Sequence, residues 1–239
     1  MSKYTEIMPS NLGIFHSMLH QTCWVDARKL ALTLFDEDTN AIFCDCGCNN
    51  GEVTIGIANK IRAKTIWGID IRKPEKLVSD NIKIEIADIN FPIAFPDNYF
   101  DVINASNIIE HLSNTDTFLS EMHRMLKPNG YVIITTCNLS AWHNIGFLVL
   151  GRQPPAADVS DKYSVGILGK PKEKYEIGPQ HRRMFTLQAL TELLECYDFM
   201  VEKTVGMGYY PFTGKMAKLF TKLDKLHSAY IAVKARKVL

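Results

Sequence analysis

The sequence of 239 residues carries no excess of charge of either sign, with 27 Lys and Arg against 26 Asp and Glu. So even a balance gives no global basic field of the kind that drives non-specific binding to nucleic acid. Nucleic acid is not an expected partner, although a local basic patch would reopen RNA. No stretch reaches the ~20 apolar residues that a membrane-spanning helix needs. Residues 1–10 lack the charged start and apolar core of a secretory leader, so a cytoplasmic protein is expected. Cysteine is scarce too: Cys23, Cys44, Cys46, Cys48, Cys137 and Cys196 are too few and too scattered for a disulfide framework in a chain this long. Three of them crowd together at Cys44, Cys46 and Cys48, but Cys-x-Cys-x-Cys lacks the paired Cys-x-x-Cys knuckles of zinc sites. Free cysteine is among the most buried residue types, so this trio reads as strand packing and no metal site is expected.

What is present is a core and a pattern. With 46% apolar residues the chain can bury one substantial core, and one domain over 1–239 is expected. Its organising stretch is Phe43 to Val53. The apolar run Ala41–Cys44 reads as a buried strand, breaks into a loop with Gly47 and Gly51, and gives way to a helix over Val53–Ile61. Glycine permits a tight turn and a close backbone approach, and the helix start beyond it offers unpaired N–H groups. A ligand is expected here.

Ahead of this stretch, residues 10–35 form a helical prelude, with Leu12, Phe15, Leu19, Ala27, Leu30, Ala31 and Leu34 at helical spacing. Packing on the sheet is its better reading; a flap using His16, His20 or Trp24 is the other. Beyond the loop, strands are expected at Thr65–Asp70, Ile82–Ile86, Phe100–Ala105 and Tyr131–Thr136. A helix containing Phe118, Leu119, Met122, Met125 and Leu126 is stopped by Lys127-Pro128-Asn129-Gly130. Alternating strands and helices imply an α/β fold with a parallel sheet covered on both faces. Asp45, Asp70 and Asp88 fall at strand ends. Each can cap a local turn, but three at successive ends gather on the rim where open sheets hold ligands.

These residues resemble the class I S-adenosylmethionine-dependent methyltransferases, especially the type 11 group. The family's Asp-x-Gly-x-Gly-x-Gly corresponds to Asp45, Gly47, Asn49 and Gly51, with Asn49 replacing the middle glycine and Cys48 beside it. Asparagine readily adopts positive φ, so the turn can survive. The resemblance implies S-adenosyl-L-methionine as cofactor, with Asp70 on the ribose hydroxyls and Ile71 beside it. It implies Asp88 and Ile89 at adenine, and Asn104, Ala105 and Ser106 along the methionine portion. It also implies a Rossmann-like, seven-stranded, mostly parallel sheet in the order 3-2-1-4-5-7-6 with strand 7 antiparallel. Strands at Phe199–Val205 and Ala229–Ala235 would complete that sheet. A nicotinamide dehydrogenase uses a related sheet, but residues 47–52 lack its Gly-x-Gly-x-x-Gly fingerprint.

The second half holds the acceptor question. Residues 138–180 interrupt the alternation with the apolar segment 145–150 and a long polar loop, and are expected to form a substrate lid. Thr186 should cap a helix through Leu194, with Phe185 and Leu190 as a hydrophobic staple. Between the last strands, Lys215, Lys218, Lys222 and Lys225 alternate with Met216, Leu219, Phe220, Leu223 and Leu226. A helix covering the core is the plainer reading, and contact with an anionic membrane surface is the sharper one. Methyl transfer from a sulfonium needs an aligned acceptor, water exclusion and, for some acceptors, a base. His111 after strand four is the first candidate base, His181 the second and Glu110 the third; capping or surface turns are their plain alternatives. The expectation is an enzyme methylating a small-molecule or glycan/lipid-precursor acceptor. Its rivals are a non-catalytic scaffold that binds the cofactor and, less favoured, an RNA methyltransferase.

Overall fold

The computed structural model describes residues 27–157, 159–167, 170–174 and 180–238. His16, His20 and Trp24 lie outside them. Seven strands build the main sheet: β1 (Ile42–Cys46), β2 (Thr65–Asp70), β3 (Ile82–Ile86), β4 (Phe100–Ser106), β5 (Leu126–Cys137), β6 (Phe199–Met207) and β7 (Tyr230–Lys237). They run in the order β3-β2-β1-β4-β5-β7-β6, and β7 is antiparallel to both of its neighbours. This is the expected topology, with the chain reversing direction across the sheet between β1 and β4.

Side-chain alternation along β1 divides the core. Phe43 packs on one face with Ile57, Ala58 and Ile61 of helix α1 (Glu52–Ile61), whereas Cys44 and Cys46 pack on the other. That second face carries Phe118, Leu119 and Met122 of α2 (Thr115–Met125), and Leu190 and Leu194 of the later helix Leu187–Glu195. Cys46 Sγ lies 3.8 Å from Met122 Sδ, so the cysteines do serve packing. Phe118 is fully buried; truncating such a ring to alanine costs about 3–5 kcal/mol. Ala27, Leu34 and Phe35 are buried against the α1 face, which gives the described end of the prelude a packing role.

The largest boundary shift is in β5. The fifth strand starts at Leu126, because Lys127-Pro128-Asn129-Gly130 continues the strand instead of stopping before it. Leu126 already pairs with Phe100, and the register shifts before Val102 pairs with Tyr131. Pro128 and Asn129 are exposed there and Asn129 has φ 64, a local bulge that accommodates a residue without an N–H. In the 138–180 segment a helix, α3 (Trp142–Val149), precedes irregular chain and a two-residue hairpin, Tyr163–Ser164 with Lys172–Glu173. Thr186 caps the next helix, α4 (Leu187–Glu195), as expected, accepting from the Ala189 N–H at 3.1 Å. The last helix, α5 (Gly214–Leu223), follows β6. No helix among the described residues is long and apolar enough to cross a membrane.

Candidate active site

The rim begins at Asp45, whose side chain is committed to the protein. Its two oxygens accept from Thr54 Oγ1 at 2.6 Å and from Asn104 Nδ2 at 2.7 Å, tying β1 to both α1 and β4. It is 2% exposed, so it positions the wall from beneath. Burial pushes its carboxyl up to about 6 despite those two hydrogen bonds, and the nearby charge of Asp70 adds to the rise.

The loop above is held thin by its own chain. Gly47 has φ +77, and a Cβ there would lie 2.9 Å from Ile108 Cδ1; at Gly51, φ +83, it would lie 2.3 Å from Ile82 Cδ1. Both glycines therefore meet protein side chains and a left-handed backbone at once. Cys48 is buried, its thiol raised to about 12 chiefly by desolvation, so it is an inert filler beside Gly68. Asn49 takes φ 47, and its N–H donates to Asp70 Oδ2 at 2.8 Å. The Arg72 N–H donates to Asp70 Oδ1 at 3.0 Å, so two backbone donors aim this acid at the end of β2.

Ile71 beside it is 61% exposed, an apolar surface next to a fixed carboxylate. The Ala87 N–H donates to the Asp70 carbonyl at 3.0 Å, which brings Asp88 alongside. Asp88 Oδ1 accepts from the N–H and the amide of Asn90 at 3.0 and 2.8 Å. Ile89 is 7% exposed and joins the core, so the apolar side chain presented on this edge is Phe91, 63% exposed. Sequence reading overlooked Phe91, and also Asn90, whose Oδ1 receives both donors of Ser113 and the Asn114 N–H. Three convergent donors on one side-chain oxygen are not visible as a sequence motif. An aimed acid, a second acid and uncovered apolar surface suit a nucleoside, whose ribose supplies two hydroxyl donors and whose base supplies a flat face. The residues present fit S-adenosylmethionine.

The acceptor side follows β4. Asn104 is buried and bonds Asp45; Ser106 Oγ donates to Asn104 Oδ1 at 3.2 Å; Ala105 is fully buried. Ile108 then lies over Gly47, and the turn Ile109–His111 comes next. Glu110 is 1% exposed. Its Oε2 accepts from the Thr136 hydroxyl at 2.9 Å, whereas Oε1 is buried with no hydrogen-bond partner. Such a group costs roughly 1–3 kcal/mol. Desolvation raises the Glu110 carboxyl above its ordinary range, opposed by hydrogen bonds and the nearby His181.

His181 arrives from the segment before α4. The Arg182 and Arg183 N–H groups donate to the Glu110 carbonyl at 2.7 and 3.1 Å, latching this segment onto the turn. The His111 and His181 ring centroids are then 4.9 Å apart. Their Nδ1 atoms lie 3.0 Å from the Gln180 carbonyl and 2.8 Å from the Ala156 carbonyl. A carbonyl only accepts, so each Nδ1 carries the hydrogen and each Nε2 a lone pair in the neutral ring. Glu110, His111 and His181 each place one ligand-type atom within 4.8 Å of the others. The three acid–base candidates thus form one cluster. The cluster is assembled from two distant segments, which local spacing cannot reveal.

A family model described as "Methyltransferase domain" matches residues 19–204, most of the chain. The chain belongs to this methyltransferase domain family. Rat mitochondrial ubiquinone biosynthesis O-methyltransferase is 29% identical over 137 residues, covering 57% of this chain and 34% of that protein. The chain spans only about a third of the length of the mammalian relatives it matches. The Rickettsia typhi ubiquinone biosynthesis O-methyltransferase is 23% identical over 215 residues, with 85% of this chain and 84% of that one covered. A Listeria monocytogenes structure, titled a putative S-adenosylmethionine dependent methyltransferase, superposes with TM-score 0.62 at 16% identity, covering 92% of this chain and 100% of that one. The architecture of this methyltransferase domain is that of the class I S-adenosylmethionine-dependent enzymes.

Proposed function

We propose that this methyltransferase domain transfers a methyl group from S-adenosylmethionine to a small-molecule acceptor. The observation that carries this reading is the continuity of the rim: Ile108, two residues before Glu110, lies against Gly47 of the loop that Asp70 holds. A cofactor wall and an acid–base cluster therefore share one structural unit. The cofactor supplies an activated methyl on a sulfonium, and the chain supplies alignment, dryness and proton handling. Asp70 and Asp88 hold the nucleoside. The acceptor's proton goes to Nε2 of His111, whose Nδ1–H is held by the Gln180 carbonyl. The resulting imidazolium sits beside the buried Glu110 carboxyl, which favours the charge. The described residues of the 138–180 segment serve the acceptor side, and the Ala156 carbonyl among them orients His181. Relatives named as ubiquinone biosynthesis O-methyltransferases support this class of substrate.

A lipid-linked acceptor is a second reading, favoured by one feature. Trp142 Nε1 donates to Asp224 Oδ2 at 3.1 Å and its ring stacks on His227 at 4.4 Å, drawing α3 and α5 together. Leu148, Val149 and Leu150 are exposed, as are Met216, Leu219 and Leu223 of α5. The plainer expectation, that α5 spends its apolar residues on the core, is met in part: Ala217 and Thr221 are buried and Phe220 stacks on Tyr209 and Phe212, while the remaining apolar residues stay exposed.

Calorimetry with S-adenosylhomocysteine tests the cofactor. Saturable one-to-one binding supports the reading, and folded protein that binds none overturns it. Transfer of labelled methyl into an aqueous or a lipid fraction of a cell extract then separates the two acceptor classes.

A further inference from the structure

Given that Asp88 holds the nucleoside of S-adenosylmethionine, the reading proposed above, we propose that Asn90 is a positioning residue. It aims Asp88 at the base and ties that aim to the acceptor-side segment through Ser113 and Arg183. The orientation of the Asn90 amide is fixed by its neighbours. Its Oδ1 receives the Ser113 N–H at 2.9 Å, the Ser113 hydroxyl at 3.0 Å and the Asn114 N–H at 3.0 Å. A backbone N–H only donates, so the atom facing these groups is the oxygen and the amide nitrogen is turned the other way. That nitrogen donates to Asp88 Oδ1 at 2.8 Å, and the Asn90 N–H reaches the same oxygen at 3.0 Å. No hydrogen bond from the described residues reaches Asp88 Oδ2. One carboxylate oxygen is thus taken by Asn90, and the other is left for a donor on the ligand.

Selectivity for the base follows from that division. An ionised carboxylate only accepts, and the exocyclic amine of adenine donates, whereas a 6-oxo group in its place does not. Aiming Oδ2 therefore reads the amine, and Asn90 does the aiming without touching the base. The Asn90 oxygen is committed to the start of α2, where Asn114 caps the first turn by accepting from the Thr117 N–H at 3.1 Å. Arg183 Nη2 donates to the Ser113 carbonyl at 2.8 Å, from the segment whose N–H groups latch onto Glu110. Arg183, Ser113 and Asn90 so carry one hydrogen-bonded line from the acceptor side to Asp88. Releasing Arg183 loosens Asp88 as well.

The test is the calorimetric affinity of the whole chain for S-adenosylhomocysteine and for S-inosylhomocysteine, which carries a 6-oxo group in place of the amine, with thermal unfolding as the check on the fold. The parent should favour the adenosyl compound by about tenfold or more, the scale of one hydrogen bond to a charged group. Asn90→Asp keeps an oxygen for Ser113 and Asn114 but sets a second carboxylate beside Asp88 in place of the amide donor. It should lose about tenfold on S-adenosylhomocysteine and stay within about threefold on S-inosylhomocysteine. Asn90→Ala and Arg183→Ala should each narrow the preference, and the double variant should narrow it no further than Asn90→Ala alone. Equal losses on both compounds in Asn90→Asp, or an unchanged preference, overturn the role of Asn90. Additive effects in the double variant overturn the link to Arg183. A parent that binds both compounds equally also overturns the proposal and leaves the methyltransferase reading standing. Folded parent that binds neither defeats that reading, and this assignment with it.

Discussion

Asn49 donates its backbone N–H to the Asp70 carboxylate at 2.8 Å, so the residue standing in for a glycine is joined to the acid of the second strand. What this contact needs from residue 49 is φ 47 and an N–H to donate, which glycine also supplies. Asn49→Gly should therefore leave S-adenosylhomocysteine affinity within about threefold. Asn49→Val should destabilise the chain by about 1–2 kcal/mol, since a β-branched residue resists the left-handed region. Asp70→Ala removes both the loop's anchor and the proposed ribose acceptor, and should weaken S-adenosylhomocysteine binding by at least ~1.5 kcal/mol in calorimetry. Unchanged affinity would remove Asp70 from the site.

Asp45 gives the fold a pH signature. Its carboxyl is raised to about 6 by burial from an ordinary 3.8, so between those values the unfolded chain has released a proton that the folded chain still holds. Stability from this group is full below pH 4, falls as pH rises towards 6 and is flat above, a loss of roughly 3 kcal/mol. Asp45→Asn keeps an oxygen for Asn104 and an amide donor for the Thr54 hydroxyl, but cannot ionise. Urea denaturation at pH 4 and pH 7 should show the variant losing less stability than the parent chain over that interval. Parallel pH dependence of the two would mean that Asp45 is ionised as easily in the fold as out of it.

The strands of this sheet were legible because each is an apolar run ended by a turn or an acid, and β2 and β3 begin and end where the pattern says. Leu126 was misread because Pro128 and Gly130 look like punctuation; a bulge against Phe100 absorbs them, and only the partner strand reveals it. At the site, the acids of the rim could be named from sequence, but not what they do. Asp45 carries the motif's first position and is buried under Thr54 and Asn104, a fact set by β4 and α1 together. His111 and His181 were each singled out for different reasons. Their meeting depends on the Arg182 and Arg183 N–H groups reaching the Glu110 carbonyl, a backbone contact that no side-chain pattern encodes.

That meeting makes turnover sensitive to three separate positions. His111→Ala should lower kcat by at least ~100-fold once an acceptor is in hand, the usual range for a lost proton-transfer group. S-adenosylhomocysteine affinity should hold within about threefold, because His111 lies on the acceptor side. Parent-like kcat across pH in His111→Ala would assign the proton to another group.

The exposed apolar residues of α3 and α5 make a different kind of prediction. Leu148 and Val149 of α3 are exposed, as are Met216, Leu219 and Leu223 of α5 with its Lys215, Lys218 and Lys222, and the Trp142–Asp224 bond joins the start of α3 to the end of α5. An anionic bilayer satisfies both halves of this surface, its headgroups taking the lysines and its acyl boundary the leucines. The chain should therefore sediment with phosphatidylglycerol vesicles and not with phosphatidylcholine ones. Lys218→Glu with Lys222→Glu should reduce that binding by about tenfold or more, at ~1 kcal/mol per lysine lost and further repulsion from the new carboxylates. Raising salt towards ~1 M should weaken the parent in the same direction, because the screening length falls to ~3 Å. Leu148→Ser with Val149→Ser should weaken binding without changing its salt dependence, since it removes buried apolar area and no charge. Equal sedimentation with both vesicle types, or none with either, would leave this surface to another partner and return the acceptor to the aqueous class.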